Sequence, residues 1–177
     1  MPGTFYDNDE FMSEFGRIIH VFAASEENIK LAIAAMCDLP PDVALILQEP
    51  YGSGNLKNVA KSIAKINLHD NIKDEFISLV GNIVSFSKLR NYIAHSRWNV
   101  GTRPESFKPM SLNIRGDRAD YLGLEDDEKD WTAKELNVEY QKLYKHSCDL
   151  IDFMSKHDFF TMVEKRLAEQ EGKVIGG

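Results

Sequence analysis

The chain has 177 residues, 43% hydrophobic and 28% charged, with a formal charge of −7; this is ordinary globular composition, enough for one domain with a sizeable core, and it argues against disorder except at the ends. Its two cysteines, Cys37 and Cys148, form no CxxC pair and have no histidine at ligand spacing, which speaks against a disulfide scaffold or a zinc site and fits a reducing compartment. No apolar run approaches the ~20 residues that span a bilayer, and Met1-Pro2-Gly3-Thr4 lacks the basic and apolar regions of a signal peptide, so a cytoplasmic protein with no membrane partner is expected.

The first element is read from about Asp9 to Met36. Phe11, Phe15, Ile18, Phe22, Ser25, Ile29, Ala32 and Met36 recur in alternating steps of four and three, the seam of a long amphipathic helix. Leu39-Pro40-Pro41-Asp42 ends it, because proline cannot continue a helix interior. After a short apolar piece, Val43 to Leu47, the stretch Pro50-Tyr51-Gly52-Ser53-Gly54 reads as a plain loop. It lacks the Walker pattern, since no strand precedes it and Lys57 is not followed by Ser or Thr. A second helix is expected over Leu56 to Ile66, with Leu56, Val59, Ala60 and Ile63 on one face.

A third long helix is predicted to start at Asp70, a suitable N-cap. Its seam runs Ile72, Phe76, Leu79, Ile83, Phe86, Arg90, Ile93. That spacing puts Arg90 in a seat where an apolar residue belongs, so the guanidinium needs a partner or a task. Glu26 and Glu27, beside the polar break at Ser25, are the expected carboxylate partners. The helical pattern lapses after His95. Ser96 to Val100 and Met110 to Ile114 read as short strands around Gly101 to Pro109, a β-hairpin-like excursion. Thr132 with Glu135 signals a capping box. A last long helix then runs to about His157, with Leu136, Tyr140, Leu143, Leu150 and Met154 on its seam. The tail from Glu164 to Gly177 is polar and expected to fray. The predicted fold is mainly α: one domain over 1–177 with its core at about 9–157, built as an up-down bundle of long helices.

Charge is unevenly distributed. From Lys88 to Arg118 seven cations (Lys88, Arg90, Arg97, Arg103, Lys108, Arg115 and Arg118) face two acids, Glu105 and Asp117, a local balance of +5 that leaves −12 for the rest. An acidic run, Asp120 to Asp130, follows at once. Local charge is what a bound anion feels, so Lys88, Arg97, Arg103, Lys108 and Arg115 are candidate anion contacts, although a solvated basic hairpin without a ligand has the same composition.

Asn91 and His95 are four residues apart and stack on one helix face. Arg90 lies ~140° around the axis from His95 and ~7.5 Å along it, within reach of a long side chain. Histidine moves protons near neutral pH, arginine presents a donor fork to phosphate oxygens, and asparagine orients either one. No metal-ligand spacing surrounds His95. The same residues also suit a plain helix end, with Arg90 paired to an acid and His95 near the C-terminal dipole.

Leu89-Arg90-Asn91-Tyr92-Ile93-Ala94-His95, Arg-x4-His near the end of a long helix, resembles the motif of the HEPN superfamily. The layout of long helices around it resembles that family over about residues 9–157, and the specific match covers 89–95. The resemblance implies a metal-independent endoribonuclease that needs no cofactor and dimerises so that two motif helices share one cleft, as in toxins and antiviral systems. It assigns Arg90, Asn91 and His95 as catalytic, acting on RNA through the 2′-hydroxyl, with an antitoxin or regulatory protein as a further partner. Members with degraded motifs serve instead as non-catalytic nucleotide- or protein-binding modules, and a purely structural helical dimer is a third reading.

Overall fold

A computed structural model describes residues 8–48, 53–115, 118–122 and 130–175. The protein is mainly helical, with a small antiparallel sheet. In chain order the elements are α1 (Asp9–Met36), α2 (Pro41–Gln48), α3 (Ser53–Asn67), α4 (Asp70–Val84), α5 (Ser87–His95), β1 (Arg97–Val100), β2 (Ser106–Arg115), β3 (Arg118–Leu122), β4 (Trp131–Thr132), α6 (Ala133–Lys156) and α7 (Phe159–Ile175). Two compact units form: Met1–Val21 with Lys88–Tyr144 (unit 1), and Phe22–Ser87 with Lys145–Gly177 (unit 2). No helix among the described residues is long and apolar enough to cross a membrane.

All eight seam residues of α1 are buried, Ser25 included. The helix starts on the Asn8 side chain, whose Oδ1 accepts the Phe11 N–H at 2.9 Å, a cap that meets one of the orphan amides of the first turn. It ends in a Schellman turn. Asp38 takes a positive φ of 56°, its N–H reaches the Ala35 carbonyl, and the Leu39 N–H reaches Ala34. Aspartate does the work usually left to glycine there, and its carboxylate also pairs with Arg166 of α7.

In unit 2, Leu56, Ala60 and Ala64 of α3 and Phe76, Val80 and Ile83 of α4 are buried. The Phe153 ring of α6 lies 5.7 Å from Phe76 and 5.7 Å from Phe159. The segment expected to fray is helix: α7 runs to Ile175, anchored by buried Phe159 and Val163 and by the Arg166–Asp38 pair. Two apolar anchors one turn apart seat the start of the helix, and the ion pair holds its next turn. Asp70 is the first residue inside α4 and not its cap. His69 holds the cap position without a side-chain bond, and Asp70 pairs with Lys73 at 2.6 Å.

The predicted continuous helix from Asp70 to His95 is two helices. At Ser85–Phe86 the Ser85 hydroxyl donates to the Asn82 carbonyl at 2.6 Å, and the Phe86 N–H turns back to Ile83. A serine hydroxyl taking the carbonyl that the next amide needs is a local competitor of the helix. The break resets the register. Leu89, not Arg90, takes the buried seat, and Arg90 is half-buried. The expected Pro50-Tyr51-Gly52 part of the loop and the acids Asp117 and Glu125 to Glu128 lie outside the described residues.

Candidate nucleic-acid interface on unit 1

The hairpin after α5 is present and longer than the sequence pattern showed. β1 pairs with β2 antiparallel, Trp98 opposite Pro109 and Asn99 opposite Lys108. β2 continues to Arg115, with β3 against 111–115 and β4 against Ser106 and Phe107. Pro109 falls between the stretches that β3 and β4 cover, so its missing N–H interrupts neither of those ladders. The buried face of β1 and β2 meets α1 through rings: Trp98 lies 5.6 Å from Phe11 and 4.8 Å from Phe15, and Phe107 lies 4.8 Å from Phe11. Offset and edge-on aromatic contacts at these distances add to ordinary burial.

This cluster positions the motif helix. Trp98 is 5% exposed, and its indole Nε1–H donates to the Tyr92 carbonyl at 3.2 Å. The Ser96 N–H donates to the same carbonyl at 3.0 Å, so the last turn of α5 is closed from two directions. Lys88 Nζ lies 5.3 Å from the centre of the Tyr92 ring, a cation–π distance.

On that helix the Arg90 guanidinium donates from Nη1 to Asn91 Oδ1 at 2.9 Å. Asn91 and His95 are exposed and stand one turn apart on one face. Arg90, Asn91 and His95 line neither the cavity at the first turns of α1 and α6 nor the one beside Met36 and Phe159. Glu26 and Glu27 lie in unit 2, the first half-buried and the second exposed, and Arg90 lies in unit 1.

The basic residues divide by environment. Strand alternation puts Arg97 and Asn99 on the face of β1 opposite to Trp98. With Asn99 opposite Lys108 and Arg97 opposite Met110, Arg97 and Lys108 are diagonal neighbours on that same face. Lys88 and Arg97 are exposed. Arg115 ends β2 opposite Arg118. Arg103 is engaged elsewhere. Its guanidinium makes two bonds to the Glu135 carboxylate, at 3.2 and 2.8 Å, and a third to the Asp130 carbonyl.

Asp130 is the residue that sequence reading missed. It is buried and accepts the Thr102 N–H and hydroxyl, the Arg103 N–H and the Ser106 hydroxyl. Burial works to raise its carboxyl pKa, yet the bonds from Thr102, Arg103 and Ser106 hold it below the usual carboxylate range. A Cβ on Gly101 would stand 2.3 Å from Ser106 Oγ and 2.7 Å from Asp130 Oδ2, so only glycine fits. The acid looked like one more member of a solvated acidic run, and nothing in its sequence neighbourhood distinguished it. The predicted capping box is present: the Thr132 N–H meets Glu135 Oε2 at 2.9 Å, and the Glu135 N–H meets the Thr132 hydroxyl at 3.2 Å.

No set of three or more His, Cys, Asp or Glu side chains that could hold a metal converges among the described residues. Comparison of the chain with family models, curated proteins and solved structures gives no match.

Proposed function

We propose that the protein is a metal-independent endoribonuclease of the HEPN type. The observation that carries this reading is the exposed turn of α5. There Asn91 holds the Arg90 guanidinium at 2.9 Å, and His95 stands one turn away, open to solvent. RNA supplies its own nucleophile. The 2′-hydroxyl attacks the adjacent phosphorus, and the bond to the leaving 5′-oxygen breaks. His95 relays the proton between those two oxygens. Arg90 stabilises charge developing on the phosphate, and Asn91 orients the guanidinium. The products are a 2′,3′-cyclic phosphate and a 5′-hydroxyl.

On this reading the helices form the up-and-down bundle of the family, and two copies pair so that two motif faces share one cleft. A single motif face has few groups to grip a phosphate, and pairing doubles them. Arg97 and Lys108, with Lys88 and Arg115, hold the RNA backbone. A cytoplasmic toxin or antiviral role, checked by an antitoxin or regulatory protein, fits such an activity. Incubation of the purified protein with single-stranded RNA in EDTA tests the reading. Cleavage with cyclic-phosphate ends supports it. Intact RNA across a broad panel rejects it, in favour of a non-catalytic nucleotide- or protein-binding module.

A further inference from the structure

Away from the motif, unit 1 contains a cavity of about 500 Å³ between the first turns of α1 and α6, walled in part by Glu10, Glu14, Glu105, Lys134 and Asn137. Both helix ends have caps of their own: Asn8 serves α1, and Thr132 with Glu135 serves α6. Glu10, Glu14 and Glu105 take no part in those caps. They leave three carboxylates against one ammonium around the cavity.

Glu14 is the distinctive one. It is 6% exposed. Its Oε1 accepts Arg17 Nη1 at 2.9 Å and Asn137 Nδ2 at 3.1 Å, while among the described residues no donor reaches the buried Oε2. Buried polar atoms are nearly always paired, and an ionised carboxylate only accepts. The partner this oxygen calls for is therefore an N–H or O–H group, and the charge of the wall favours a cationic one. A cavity of this size is in the range of small-molecule sites. Oε2 itself is buried, and Glu10, Glu105 and Lys134 of the cavity wall are exposed.

We propose that this cavity binds an organic cation carrying a guanidinium or primary ammonium group, whose N–H donors meet Glu14 Oε2. Glu10 and Glu105 attract the cation. Lys134 limits how much positive charge enters, and it favours a ligand that also carries a carboxylate. The proposal is independent of the ribonuclease reading.

The test is calorimetric titration of the full chain at low salt with agmatine, arginine and N-acetyl-arginine amide, each followed by a thermal-shift scan. Saturable binding is expected, weakened about tenfold or more by Glu14→Gln, since a hydrogen bond to a charged group is worth about that factor. Should Glu14→Gln fail to fold, two exposed-site variants decide: Glu105→Gln weakens binding of agmatine and Lys134→Glu strengthens it. Agmatine or arginine binding without the capped amide assigns a free small molecule. Equal binding of the amide assigns an arginine side chain on a partner. No heat and no thermal shift with any probe up to about 10 mM, well above ordinary site affinities, overturns the proposal. So does binding that neither Glu105→Gln nor Lys134→Glu alters.

Discussion

The Trp98 indole donates to the Tyr92 carbonyl at 3.2 Å, so the first strand of the hairpin holds the last turn of the helix that carries Arg90, Asn91 and His95. The ring itself is buried against Phe11 and Phe15. A bond across six residues thus couples the core of unit 1 to the exposed motif face.

Trp98→Phe keeps an aromatic ring in the cluster and loses the donor. It should cost roughly 1 kcal/mol by the usual worth of a hydrogen bond and raise amide exchange at Tyr92 to Ser96. Trp98→Ala should cost about 3–5 kcal/mol, as truncation of a large buried aromatic does. Urea unfolding and hydrogen exchange measure both. Equal exchange protection in Trp98→Phe and wild type would show that the helix end stands without the strand.

Asp130 should make stability depend on acid. Its folded pKa lies below the unfolded value of about 3.9. The stabilisation is therefore present above the unfolded pKa and is lost as pH falls through the folded one. Asp130→Asn should cost on the order of 1–3 kcal/mol at neutral pH, because the donors of Thr102, Arg103 and Ser106 then meet a neutral amide oxygen in place of a charged one. It should also show a shallower loss of urea midpoint between about pH 5 and 3 than wild type. Gly101→Ala should destabilise by a similar ~1–3 kcal/mol through overpacking. Parallel acid profiles for Asp130→Asn and wild type would remove Asp130 from this role.

Much of this was legible in the sequence, and the failures have physical causes. The α1 seam from Phe11 to Met36 is buried in full, because one long helix with a regular spacing leaves no competing register. The capping box at Thr132 and Glu135 depends on local chemistry alone and was equally readable. The Arg90 seat was misplaced because the pattern from Asp70 to Ile93 reads smoothly across Ser85, where a single hydroxyl bond to Asn82 breaks the helix and moves Leu89 into the buried seat. The cation count from Lys88 to Arg118 could not show that Arg103 is held by Glu135, 32 residues away. Spacing places Asn91 and His95 on one face of a helix, and the structure adds the 2.9 Å bond between Arg90 and Asn91.

The basic residues should separate in their salt dependence. Arg97→Glu and Lys108→Glu should each weaken RNA binding and lower the slope of log affinity against log salt by about 1 or more. Arg103→Glu should act chiefly by loosening the 101–106 turn and lowering the melting temperature. Fluorescence anisotropy from about 50 to 200 mM salt, with melting curves alongside, distinguishes them. A larger slope change for Arg103→Glu than for Arg97→Glu would reverse the assignment.

Arg90 and Asn91 should act as a unit. Asn91→Ala removes the acceptor at 2.9 Å and should lower cleavage less than Arg90→Ala, since Asn91 orients and carries no charge to the phosphate. In the Arg90→Ala background, Asn91→Ala should add little, because residues in contact are non-additive. Full additivity in a double-mutant cycle on cleavage rate would mean that the observed bond has no role in the reaction.

The ribonuclease reading depends most directly on His95. Its side chain is exposed, so His95→Ala should leave the melting temperature within about 1 kcal/mol equivalent of wild type, as surface substitutions do. In EDTA, with single-stranded RNA, the wild type should cut, and His95→Ala should be slower by about 10² to 10⁴, the usual contribution of a general acid–base group. Equal cleavage by folded His95→Ala and wild type would contradict the account.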